Sequence, residues 1–174
     1  RDAEKSLDMA AAGVMGPEAA DSLYEDALAN ANEAIEDRER NPLGYLLAGR
    51  ALIGLGRFEE ADAALNKAEE LRPVYMLEID PIREVGWFDQ YEIAQPLLSS
   101  GDYAQAAMVL EGANLIYKKR PEIMIVLGQI YASEAGVATD SVARMEAANK
   151  AIERLREADE VIITRGPEAD SAVA

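Results

Sequence analysis

The chain has 174 residues, 49% of them apolar, and 33 Asp and Glu against 17 Lys and Arg, for a net charge of −16 and a sequence pI near 4.3. A field of that sign repels phosphate backbones and anionic lipid, so neither nucleic acid nor a membrane surface is expected as a partner, and no stretch approaches the ~20 apolar residues that membrane insertion needs. Cys and His are both absent, which removes disulfides, thiol nucleophiles, the usual zinc ligands and every His-based triad, so no enzyme activity, catalytic residue, metal or cofactor is expected.

Alanine is abundant, aromatics make up 6% and β-branched runs are scarce, a composition that predicts helix throughout. Eight helices are expected in chain order, at 3–12, 21–38, 42–55, 58–71, 81–99, 103–119, 121–134 and 140–164. Asn41-Pro42 and Asp80-Pro81 each place a capping side chain before a proline whose missing N–H costs nothing in a first turn. Gly56 and Gly101 are the stops, able to take positive φ where the chain reverses before Phe58 and Tyr103. Residues 74–79 are open to two readings, an extended linker or an early start of the fifth helix. Pro96 predicts a kink late in that helix, since its ring crowds the carbonyl of Glu92. A chain that begins at Arg1 without Met reads as processed or truncated, which leaves cytoplasmic, periplasmic and extracellular locations all open.

One pattern recurs along these helices. Ala61, Leu65 and Ala68 return as Ala106, Leu110 and Ala113, and again as Ala151, Leu155 and Ala158, with an upstream echo at Ala27, Ala31 and Ala34. Small, large and small side chains at this spacing share one helical face, so a neighbouring helix can approach at the alanines and lock on the leucine. Gly56-Arg57-Phe58 also returns as Gly101-Asp102-Tyr103. Ala27 to Ala61 and Ala94 to Gly128 are each 34 residues apart, whereas Ala61, Ala106 and Ala151 are spaced by 45. The extra length lies before Phe88 in one repeat and after Tyr131 in the next, so a 34-residue unit carries two insertions.

With Tyr45, Ala48-Gly49, Leu52, Gly56, Phe58, Ala61, Leu65, Ala68 and Pro73, the stretch 42–73 resembles the tetratricopeptide repeat (TPR) family. The resemblance covers roughly 21–164. It implies an all-α fold, a right-handed α-solenoid of about eight helices in antiparallel pairs. One domain, 1–165, is then expected, with repeats at approximately 3–40, 42–73, 81–119 and 121–164 and a disordered tail at 166–174. The resemblance also implies a concave groove lined by the first helix of each pair. Its lining carries over to Leu46, Arg50 and Ile53 in the second repeat, Phe88, Tyr91 and Gln95 in the third, and Ile125 and Gln129 in the fourth, flanked by Leu43, Leu98, Glu122 and Ala132. Arg50 is the one cation among these twelve positions, so a grip on a partner's C-terminal carboxylate is disfavoured.

The expected function is that of a non-enzymatic protein-protein interaction scaffold holding a protein or peptide segment in this apolar groove. The alternative is a structural subunit of a head-to-tail self-associating or cell-envelope assembly, because the last helix bears Ile152, Leu155 and Ile162 on a face that either a continuation of the natural chain or another stacked copy would cover. An acidic hydrolase is the weakest reading: Glu59-Glu60, Glu69-Glu70 and Asp159-Glu160 are explained by solvated helix surface, and no polar cluster around them suggests pKa tuning. Trp87 is open between packing against the fifth helix and anchoring a partner.

Overall fold

The computed structural model describes residues 2–12 and 16–165, and the tail expected at 166–174 lies outside them. Among the described residues the protein is all-helical, with 88% helix and no strand. Helices α1 (Asp2–Ala11), α2 (Pro17–Asp37), α3 (Pro42–Gly54) and α4 (Phe58–Leu71) are followed by a 3-10 turn, Pro73–Tyr75. Then come α5 (Met76–Ser100), α6 (Tyr103–Ile116), α7 (Pro121–Val137) and α8 (Ser141–Arg165). The chain forms two compact units, Arg1–Phe88 and Asp89–Ala174, and α5 runs through the boundary.

The helix ends follow local chemistry. Asn41 accepts from the Gly44 N–H at 3.2 Å and donates to the Ala34 carbonyl at 3.2 Å, so one side chain caps α3 and ties it to the end of α2. Asp102 and Asp140 accept from the N–H groups of Gln105 and Ala143 in the same way. Gly56 and Gly101 have φ of 69° and 81°. Each completes the same C-terminal motif: Arg57 N–H donates to Leu52 O and Gly56 N–H to Ile53 O, and Asp102 and Gly101 repeat the pair on Leu97 and Leu98.

Of the two readings of 74–79, the early start of the fifth helix is the one the structure shows, ahead of the expected start at Pro81. Helix α5 begins at Met76, so Asp80 and Pro81 lie inside it rather than forming its cap. Burial explains the difference: Tyr75 and Ile79 pack with Leu46, Leu65 and Ala68 in one apolar cluster, and this contact outweighs the single backbone bond that Pro81 forgoes. Helix α5 also continues through Gly86 and Pro96 to Ser100. Helix α2 starts at Pro17, which stands at its first position after Gly16, four residues earlier than expected.

In the first unit, α1, α2, α3 and α4 share a core that includes Leu7, Ala27, Leu28, Ala31, Ala48, Ala51, Leu52 and Ala61. Ala61, Leu65 and Ala68 are completely buried, and a Cβ placed on Gly49 would stand 2.5 Å from Leu65 Cγ and Cδ2. The leucine of α4 therefore lies directly on the backbone of α3 at a residue with no side chain. The second unit repeats the contact. A Cβ on Gly128 of α7 would stand 2.7 Å from Leu155 Cγ of α8, while Ala147, Ala151 and Ala158 are buried along α8. Ala106, Leu110 and Ala113 of α6 are completely buried as well.

A methyl group at Gly49 has to displace Leu65. Gly49→Ala is expected to cost about 1–3 kcal/mol of stability, despite the better helix propensity of Ala. Gly136→Ala, on the same kind of helix but with nothing within 4 Å of the added carbon, is expected to gain up to about 1 kcal/mol. Urea denaturation of both variants beside the parent checks the pair.

Candidate functional site

The lining residues expected from the sequence divide between the two units. In the first, Leu46 is buried with Leu65, Ala68 and Ile79, and Ile53 packs over the same cluster, so Leu46 has no surface left for a partner. Arg50, the one cation among the lining positions, forms an ion pair with Asp8 of α1 at 3.5 Å within the same unit. Phe88 is the aromatic left open, with 52% of its surface exposed, whereas the neighbouring Trp87 is buried, which favours packing over anchoring for the tryptophan. In the second unit Tyr91 and Ile125 are half-buried, and Gln95 and Gln129 are exposed. Leu43 lines a cleft of about 190 Å³ with Asp2, Asn30 and Asn41, smaller than the roughly 300–1,000 Å³ of sites that enclose small molecules.

The second unit also contains a polar cluster that sequence reasoning missed. Glu111 Oε1 on α6 accepts from the Tyr131 hydroxyl of α7 at 2.8 Å and from Arg154 Nε of α8 at 3.0 Å. Arg154 Nη1 donates in turn to Glu157 Oε2 at 2.8 Å, and the buried Asn114 donates to the same oxygen at 3.3 Å. The Lys150 ammonium stands 5.3 Å from the centre of the Tyr131 ring. Three helices are thus pinned by one carboxylate. The chain separations, 20 residues from Glu111 to Tyr131 and 43 to Arg154, hide the cluster from any local pattern. One signal was present: Glu111 directly follows the repeated Leu110, as Asn66 follows Leu65, and Asn66 also bonds the next helix, accepting from Arg83 at 2.9 Å.

The chemistry of the cluster is that of a clamp. Burial, then the hydrogen bond to Glu111, pushes the Tyr131 phenol well above its ordinary range. Burial opposes the charge of Arg154, but its bonds to Glu111 and the attraction of Glu111 and Glu157 outweigh that and raise its pKa. Both shifts carry Tyr131 and Arg154 away from neutrality, the range in which a general acid or base works. Among the described residues no group of three acidic side chains is placed to hold a metal ion, and no helix is long and apolar enough to cross a membrane.

On α8, Ile152, Leu155 and Ile162 are exposed at 48%, 44% and 50%, with Met145 and Ile163 beside them. Compared with known proteins, the chain matches no family model and no curated sequence.

Replacing Arg154 with Met leaves Glu111 and Glu157 without their cation. A loss of about 1–3 kcal/mol is expected, below the cost in a fully buried site because both carboxylates keep about 30% of their surface in water. Because the folded state holds the Tyr131 proton more tightly than the unfolded chain, its contribution is fully present below about pH 10 and declines as pH rises beyond it. Chemical denaturation between pH 8 and pH 11 should therefore show a steeper alkaline loss in the parent than in Tyr131→Phe.

Proposed function

We propose that the chain is a non-enzymatic helical-repeat scaffold of the TPR type, a right-handed solenoid of antiparallel helix pairs whose first helices present a lining to a protein segment. The observation that carries this reading is Phe88, a large aromatic residue at a lining position with half its surface in water, since aromatic side chains of this kind anchor bound peptides. Gln95 and Gln129 are exposed at corresponding positions and offer amide hydrogen bonds that set the register of an extended or helical segment. Recurrence of the leucine-on-glycine contact at Gly49 and Gly128 supports the repeat architecture. Arg50, the one cation of the lining, is shared with Asp8, which supports an apolar segment rather than a terminal carboxylate as the occupant.

A second reading, a self-associating structural subunit, is supported by the aliphatic side chains that α8 exposes at Ile152, Leu155 and Ile162.

Peptides selected on the immobilised chain from a displayed library test the first reading. Phe88→Ala and Tyr91→Ala should each weaken a selected peptide by about 1–3 kcal/mol, with little dependence on ionic strength. Calorimetry that finds both affinities unchanged would remove the lining from the binding site.

A further inference from the structure

Helix α8 packs inward with alanines and Leu155, and leaves other large residues outside. Ala147, Ala151 and Ala158 are buried, whereas Met145, Ile152 and Ile163 are between 48% and 69% exposed. The corresponding face of the earlier helices is covered. Asp62 and Asn66 of α4 bond Arg83 of α5, and at the same repeat positions of α6 Ala107 is buried and Glu111 bonds Tyr131 of α7. The equivalents on α8 are Ile152 and Arg156, both exposed. Among the described residues this face of α8 has no covering helix.

The charge pattern identifies which helix would cover it. Ile152, Arg156, Asp159 and Ile163 follow one another at intervals of four, three and four residues, so they form one line along α8. Read in either direction the line is apolar, charged, oppositely charged, apolar. It is complementary to its own reverse. Among the described residues neither Arg156 nor Asp159 has an ion-pair partner. We propose that a second copy of this chain docks here, its α8 antiparallel to the first, with Arg156 opposite the partner's Asp159 and Ile152 opposite the partner's Ile163, each contact made twice about a two-fold axis. The inference rests on the reading of the chain as a self-associating subunit, and it replaces a head-to-tail array with a closed pair.

Register follows from the charges. Sliding the partner by seven residues would set Arg156 against the partner's Ile152 and Asp159 against the partner's Asn149, burying both charges without a counter-ion, which is costly. Repulsion between two chains of net charge −16 is low along α8, whose 25 residues hold five acidic and five basic side chains. The helices overlap from 150 to 165, about 24 Å, an interface at the small end of specific contacts that dissociates on dilution.

Analytical ultracentrifugation of the 174-residue chain over a concentration series tests the proposal. A monomer–dimer equilibrium that stops at the dimer is expected. Arg156→Asp alone and Asp159→Arg alone should each raise its dissociation constant about tenfold or more, and the two together should restore it to within about threefold, because the swapped charges again meet opposite charges. As the chain has no cysteine, Ile152→Cys with Ile163→Cys should yield a covalent dimer on oxidation, and circular dichroism checks that every variant is folded. A monomer at all concentrations would overturn both the inference and the self-association reading beneath it. Growth beyond the dimer would overturn the closed pair and leave that reading standing. A dimer that the double reversal does not rescue would overturn the antiparallel register.

Discussion

The contact on which the rest depends is a leucine lying on a glycine of the neighbouring helix. Leu65 sits on Gly49, and Leu155 sits on Gly128, at distances that leave no room for even one methyl group. Alanines one turn to either side of each leucine let the backbones stay close, as the full burial of Ala61 and Ala68 shows. With α3 and α4 held at this distance, Leu65 can also reach the cluster of Leu46, Tyr75 and Ile79, which draws the start of α5 into the first unit. In the second unit the same contact brings α8 along α7, where Arg154 meets Glu111 and Tyr131. Packing therefore sets the backbone, and the backbone sets the polar pins.

Much of this was legible in the sequence because it is periodic. The triplets at Ala61 and Ala106 mark buried faces, at Ala151 the two alanines are buried while Leu155 stays 44% exposed, and Gly56 and Gly101 end their helices with positive φ as their position before an aromatic residue implies. The start of α5 was legible only as one of two readings: Asp80-Pro81 is a sound local cap, and the burial of Tyr75 and Ile79 that overrides it depends on residues of α3 and α4. Leu46 illustrates the same limit, since helical spacing places it on the lining row while its neighbours in space bury it. The cluster around Glu111 joins three helices across 43 residues and leaves no local trace except its place after a repeated leucine.

Charge and exposure give the surface two characters. Helices α1 and α2 carry most of their ionised side chains as Asp and Glu, whereas α8 balances acid with base and exposes aliphatic residues between them. An acidic solvated surface keeps an alanine-rich chain apart from its neighbours except where apolar side chains are presented. Phe88 on α5 and the outer line of α8 are such places, and different occupants are proposed for them: an extended or helical segment at the first, a helix of matching charge pattern at the second.

The leucine-on-glycine contact is tested most directly by a double-mutant cycle on Gly128 and Leu155, read by chemical denaturation. Gly128→Ala should destabilise the parent chain by about 1–3 kcal/mol yet cost almost nothing when Leu155 is already Ala, because the truncated side chain leaves room for the new methyl group. Costs that simply add would contradict the account, since they would mean that the two residues do not share that space.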